Sequence, residues 1–262
     1  MDIQHAHTRL WLRRFTPVPD AAPTLVCFPH AGGAASAYTA LSRTLAPDVE
    51  VLALQYPGRQ DRRLEPPAES IDALADAVVA ALGPELPADC AFFGHSMGAA
   101  LAFEVARRYE RPAGGSGPVR LFVSGRRAPS VRGEGGTRPP DDAEILARVR
   151  QLSGTDEALL ADEDMMALLL PTLRADYRAV AGHYAPPEAR VGCPVTVLVG
   201  DADPVTSVED AAAWRTHSTA PVDVRVFPGG HFYLDARRDA VAGVIREALA
   251  VRPAATAPDR TR

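Results

Sequence analysis

The chain has 262 residues, enough for one substantial core, and its 47 % hydrophobic and 23 % charged content is ordinary for a globular protein. A formal net charge of -5 gives no general basic surface, which argues against nucleic acid as a partner. All 28 basic residues are Arg and none is Lys, which excludes any mechanism built on a lysine amine.

Met1 to Arg14 has neither an apolar h-region nor a small-residue cleavage site, so no signal peptide is read there. Thr24 to Phe28 (TLVCF) is predicted as a strand, Pro29 to Gly33 as a glycine-rich loop and Ala35 to Leu45 as a helix. Glu50 to Leu54 is a second strand, followed by a polar loop through Gln55, Tyr56, Pro57, Gly58 and Arg59. Ser70 caps a helix to about Leu82, where apolar residues recur at Ile71, Leu74, Ala75 and Val78. Cys90 to Phe93 is a strand that runs straight into Gly94-His95-Ser96-Met97-Gly98 and a helix to about Tyr109. Val119 to Ser124 is the next strand.

From Arg126 to Pro186 strand-like runs stop, and a Gly/Pro/Arg-rich loop gives way to helical segments at Asp141 to Leu152 and Asp162 to Tyr184. Strands resume at Val195 to Val199 and Val222 to Phe227, and the last helix runs from about Arg237 to Val251. Residues 252–262 are rich in Pro, Ala, Thr and Arg, a composition expected to be disordered. No apolar stretch approaches the ~18 to 20 residues that a membrane span needs. Regular β-α alternation predicts an α/β fold, a mostly parallel sheet with helices on both faces. The strandless segment, about 127–186, is read as an inserted helical lid within a single domain spanning 1–262. Cys27, Cys90 and Cys193 each fall in a short apolar run read as a strand. Three buried thiols suit a reducing cytoplasm, and none stands at metal-ligand spacing from another Cys or a His.

Gly-X-Ser-X-Gly is a weak motif by itself, but here a strand enters it and a helix leaves it, the context of a nucleophile elbow. Gly94 and Gly98 leave room for so tight a turn, which would lift the Ser96 hydroxyl above the sheet. Serine needs a base, and of seven histidines His231 is the candidate. His5 and His7 lie near the N-terminus, His95 inside the elbow, His217 at a helix end and His183 in the lid segment. His30 lies in the glycine-rich loop, where its backbone geometry matters most. His231 follows the last strand in Pro228-Gly229-Gly230-His231-Phe232, a loop able to swing an imidazole over the elbow. The carboxylate that fixes its tautomer comes from Gly200-Asp201-Ala202-Asp203-Pro204; Asp203, further out and fixed by Pro204, is preferred, with Asp201 the alternative. The order Ser, Asp, His is that of the α/β-hydrolase fold. An oxyanion hole needs two backbone amides, and Met97 and Ala31 are the candidates, with Gly32 as the alternative to Ala31.

Taken in order, Phe28-Pro29-His30-Ala31-Gly32-Gly33, Gln55-Tyr56-Pro57-Gly58-Arg59, Gly94-His95-Ser96-Met97-Gly98-Ala99, Gly200-Asp201-Ala202-Asp203 and Gly229-Gly230-His231-Phe232 resemble the type II thioesterases. These are stand-alone editing enzymes that accompany polyketide synthases and nonribosomal peptide synthetases, and the resemblance runs from about Thr24 to Leu249. Leu173-Arg174-Ala175-Asp176-Tyr177 also looks like that family's lid. The resemblance implies hydrolysis of acyl groups from the phosphopantetheine arm of acyl or peptidyl carrier protein domains, through an acyl-enzyme on Ser96. It implies no cofactor of the enzyme's own, since the substrate carries the phosphopantetheine. A cytoplasmic monomer with no membrane partner is expected.

Met165, Met166, Leu168, Leu169 and Leu170 are candidates to line an acyl pocket, with packing of the lid as the alternative. Arg59, Arg62, Arg63, Arg126 and Arg127 are read either as a surface for an acidic carrier or as solvated loop charge. The rival activities are a small-ester or acyl-CoA hydrolase without a carrier partner, and a product-releasing or cyclising thioesterase. A non-catalytic carrier-binding module would not need Ser96, Asp203 and His231 together.

Overall fold

The computed structural model describes residues 10–20, 22–83, 86–87, 89–110, 117–132, 138–152 and 162–250, so the expected disorder of 252–262 lies outside the described residues. Seven strands make one sheet: β1 (Leu12–Arg14), β2 (Thr24–Phe28), β3 (Glu50–Leu54), β4 (Ala91–His95), β5 (Leu121–Ser124), β6 (Val195–Gly200) and β7 (Val222–Phe227). Their order is β1-β3-β2-β4-β5-β6-β7. Every neighbouring pair is parallel except β1 with β3, where Leu12 pairs with Leu54 antiparallel.

The inner strands β2, β4, β5 and β6 are buried along their whole length, as a parallel sheet covered on both faces requires. Alternate side chains divide between two cores. Val26, Phe28, Phe92 and Val123 face α2 (Ile71–Leu82) and α3 (Met97–Glu110). Leu25, Cys27, Phe93 and Phe122 face α1 (Thr39–Leu45) and α8 (Arg238–Ala250), placing helices on both faces. Ser70 caps α2 as expected, its Oγ accepting from the Ala73 amide at 3.1 Å.

Several local expectations are corrected. β1 went unread, because Leu12-Arg13-Arg14 is short and two-thirds charged. Residues 35–45 divide into a 3-10 turn (Ala35–Tyr38) and α1. Of the three cysteines only Cys27 lies in a strand; Cys90 precedes β4 and Cys193 precedes β6, although all three are buried.

Between β5 and β6 the chain forms α4 (Asp142–Leu152) and α5 (Glu163–Gly182), with no strand among the described residues. Ile145, Met166 and Leu173 bind these two helices into a small core of their own, with Leu169, Leu170 and Tyr177 packed against it. Met165 and Leu168 are exposed. The body holds α5 through Thr172 Oγ1 on the Gly58 carbonyl (2.8 Å), Arg178 on Glu69 (2.6 Å) and His183 Nε2 on Glu104 (3.3 Å). After β6 come the short helices α6 (Val208–Ala212) and, after β7, α7 (Tyr233–Ala236).

Trp214, between α6 and β7, is fully buried; its Nε1 donates to the Arg126 carbonyl at 2.8 Å and its ring meets Phe103 edge-on at 5.3 Å. Truncating such a side chain costs about 3–5 kcal/mol, roughly 10 °C in thermal midpoint for a chain of this size. Trp214→Ala is therefore expected to lower the midpoint by that amount in a melting experiment. A shift under about 3 °C would contradict this packing.

Candidate active site

β4 ends at His95 and α3 begins at Met97, so the reversal from strand to helix falls on Ser96 alone. Ser96 sits at φ 55°, left-handed backbone that costs a non-glycine residue about 1–3 kcal/mol and persists only when its surroundings impose it. The surroundings do so. A Cβ on Gly94 would lie 2.2 Å from the Gly98 carbonyl oxygen, and one on Gly98 would lie 1.9 Å from that of Phe28. The Ser96 amide donates to Ser124 of the neighbouring strand at 2.8 Å.

The loops after β6 and β7 meet beside this turn. His231 Nδ1 donates to Asp203 Oδ2 at 2.8 Å, with both side chains almost wholly shielded from solvent. The amides of Val205 (2.9 Å) and Thr206 (3.2 Å) donate to Asp203 Oδ1 and hold the carboxylate still. Asp201 instead accepts from the Gly229 amide at 2.9 Å, fastening the loop that carries His231. Of the two aspartates, only Asp203 is brought to the histidine. His231 Nε2 is buried and has no hydrogen-bond partner among the described residues, and Ser96 Oγ likewise makes no hydrogen bond there.

Two side chains that the sequence did not single out for a role, His95 and Phe232, pack against His231. The His95 ring lies 4.9 Å from that of His231, and Phe232 lies 5.2 Å away, edge-on. His95 Nδ1 is 2.9 Å from Ser124 Oγ, which is 2.6 Å from the Tyr233 hydroxyl. Burial pushes His95 well below the ordinary imidazole range, and neighbouring His231 and His30 add to the effect. Burial, then His231 and Arg59, lower His30 to about 4. Both therefore stay neutral near pH 7. A glycine is required at 125, where a Cβ would lie 2.6 Å from His95 Cε1 and 3.4 Å from His231 Cε1.

In the loop after β2, the Gly32 amide is occupied: it donates to Asp176 Oδ2 at 2.7 Å. The Gly33 amide turns back to the His30 carbonyl at 2.9 Å. Neither Ala31 N–H nor Met97 N–H has an acceptor among the described residues. The Gly32 amide, the alternative to that of Ala31, is therefore not free in this structure.

Two of the five arginines, Arg59 and Arg62, depart from both sequence readings. Arg59 and Arg62 are each only 5 % exposed, so neither is solvated charge or a carrier-facing surface. Arg59 pairs with Asp176, while Arg62 pairs with Glu65 and lies 4.4 Å over the Trp11 ring. Arg63 is exposed. Arg126 and Arg127 line a cavity of about 470 Å³ next to Asp203, together with Arg132, Tyr177, Tyr184 and Thr206. Burial, then Arg127, lowers Arg126 to about 10. The apolar run Met165, Met166, Leu168, Leu169 and Leu170 does not line that cavity; Met166, Leu169 and Leu170 pack the two lid helices together.

Comparison with known proteins identifies the family. The thioesterase domain family matches residues 23–249. The chain is 48 % identical over 239 residues to a probable cadicidin biosynthesis thioesterase of Streptomyces griseus, covering 91 % of this chain and 66 % of that protein's length. It is 47 % identical over 243 residues to the thioesterase PikA5 of Streptomyces venezuelae, covering 92 % of this chain and 86 % of the relative. Among solved structures, the type II thioesterase BorB from the borrelidin biosynthetic cluster superposes with a TM-score of 0.82 at 43 % identity, over 92 % of this chain and 98 % of that one. The chain belongs to the thioesterase family, as a type II thioesterase, a serine thioester hydrolase of α/β-hydrolase fold.

Proposed function

We propose that this enzyme hydrolyses acyl groups from the phosphopantetheine arm of acyl or peptidyl carrier protein domains, with Ser96 as nucleophile, His231 as base and Asp203 as its partner. The observation that carries the reading is the Asp203–His231 hydrogen bond at 2.8 Å, which leaves Nε2 unpartnered beside an elbow serine at φ 55°. Asp203 keeps the proton on Nδ1 and stabilises the imidazolium when it forms, so Nε2 is the atom free to accept. As the bond from Ser96 Oγ to the thioester carbon forms, the hydroxyl proton passes to Nε2. The carbonyl electrons move to oxygen, where the Ala31 and Met97 amides receive them; Met97 N–H is also the first of helix α3, whose dipole favours negative charge.

Collapse of that intermediate breaks the C–S bond, and the sulfur leaves with the proton from His231. An ordinary thiol has a pKa of about 8.5, so this departure asks less of the acid than expulsion of an amine does. Water then gives its proton to Nε2, attacks the acyl-enzyme and frees the acid, and Ser96 recovers its proton. Neutral His95 and His30 leave His231 as the only imidazole of the site to carry charge during the cycle. No step needs a cofactor of the enzyme's own. The names of the relatives, which include a type II thioesterase from the yersiniabactin nonribosomal peptide/polyketide biosynthetic pathway, support a synthase-bound substrate. Among the described residues no helix is long and apolar enough to cross a membrane.

Carrier proteins loaded with several acyl groups, followed by intact mass, test the substrate. Loss of the acyl mass with wild-type enzyme and its retention with Ser96→Ala is the expected result. Unchanged acyl-carrier masses from an enzyme that still cleaves small esters would favour the small-ester or acyl-CoA reading. Kinetics test the site itself: Ser96→Ala and His231→Ala should lower kcat by about 10⁴-fold or more, and Asp203→Ala by roughly 10²- to 10⁴-fold. Asp201→Asn, which only loosens a loop, should lose less than about tenfold; equal losses at 201 and 203 would overturn the assignment of the acid.

A further inference from the structure

Two motifs remain without a role in this mechanism: Gln55 to Arg59, after β3, and Asp176, on α5. The structure joins them. Asp176 is 2 % exposed, and its carboxylate takes Arg59 Nη2 at 2.5 Å on both oxygens as well as the Gly32 amide at 2.7 Å on Oδ2. Arg59 in turn donates through Nε to the Gly33 carbonyl at 2.9 Å and through Nη1 to the Pro57 carbonyl at 2.8 Å, with its guanidinium 4.9 Å over the Tyr56 ring. The Tyr56 hydroxyl reaches the Pro29 carbonyl at 3.3 Å, and Gln55 Oε1 accepts from the Ala35 amide at 2.9 Å. The loop after β2 is thus gripped at both ends and in the middle. Gly32 sits at φ +74°, and a Cβ there would meet Leu173 of α5 at 2.7 Å, so the loop lies directly under that helix.

We propose that Asp176, braced by Arg59, is the positioning residue of the oxyanion loop. By taking the Gly32 amide it fixes the turn that leaves Ala31 N–H free, and it ties the aim of that amide to the seating of α5 on the body. The inference rests on the reading of Ser96 as nucleophile and the Ala31 amide as an oxyanion donor. Its consequence is that displacement of α5 releases a carboxylate from the oxyanion loop, so a displaced lid helix leaves the site unable to stabilise the tetrahedral intermediate. A built charge pair at this position is costly to bury unless its hydrogen bonds are all made, and here Asp176 spends one of them on a loop amide rather than on a second cation.

The test is steady-state hydrolysis of an acyl-pantetheine thioester by Asp176→Asn and Asp176→Glu, each rate expressed per mole of enzyme titratable with a fluorophosphonate. Removing an oxyanion donor costs about 10²- to 10³-fold; a donor misaimed but present should cost kcat about 10- to 100-fold, with KM within about threefold of wild type. Asp176→Glu keeps the charge beside Arg59 but displaces the oxygens, so it should show the same kcat loss; it also serves if Asp176→Asn does not fold. Arg178→Ala, which cuts the exposed tie of α5 to Glu69 without touching the loop, should retain kcat within about twofold. Asp176 variants with wild-type kcat per folded site, or an Arg178→Ala loss equal to theirs, would overturn the positioning role. Turnover by Ser96→Ala in the same assay would instead overturn the underlying reading of the nucleophile.

Discussion

The backbone of one strand pressed against the first turn of a helix is the contact on which this enzyme is organised. Gly98 stands so close to the Phe28 carbonyl that a Cβ would fall 1.9 Å from the oxygen. That approach holds the end of β2 and the start of α3 together, and with them the two loops that carry Ala31 and Ser96. It also forces Ser96 into left-handed backbone, since Gly94 and Gly98 are in contact with each other across the turn. The strain at Ser96 is sustained by the adjoining core, in which Val26, Phe28, Phe92 and Phe103 are buried.

Around that elbow, polar groups are committed so that few remain free. Asp203 spends one oxygen on two loop amides and the other on His231; Asp201 holds the His231 loop; Asp176 consumes the Gly32 amide. Left over beside the elbow, among the described residues, are His231 Nε2, the amides of Ala31 and Met97, and His95 Nε2. The first three are the groups that the proposed acyl transfer uses, an acceptor for the serine proton and donors for the oxyanion. Burial, with the neighbouring charges, lowers His95 well below the ordinary imidazole range and His30 to about 4.

Much of this was legible in the sequence because the chemistry is local. A strand, Gly94 to Gly98 and a helix adjoin in the chain, and the loops after β6 and β7 each supply one member of the Asp203–His231 pair. The preference for Asp203 over Asp201 rested on distance from the strand, and the geometry brings Asp203 to His231. Long-range pairing was not legible. Arg59 looked like loop charge because its partner, Asp176, is 117 residues away on a helix of the lid segment. Arg62 looked the same, and its burial depends on Trp11, a residue ahead of the β1 strand that the sequence did not reveal. The Met and Leu run at 165–170 fits either an acyl pocket or packing of the lid, and Met166, Leu169 and Leu170 pack on a second helix, against Ile145. The cavity beside Asp203 is instead rimmed by arginine.

The central claim is that turnover passes through an acyl group carried on Ser96, and trapping that group tests it most directly. Acyl-carrier protein mixed with a stoichiometric amount of wild-type enzyme, quenched in acid at short times and digested for mass spectrometry, should yield the acyl mass on the peptide containing Ser96, and no such adduct with Ser96→Ala. An acyl adduct on another residue, or hydrolysis by wild type with solvent oxygen entering and no adduct in any quenched sample, would contradict the account.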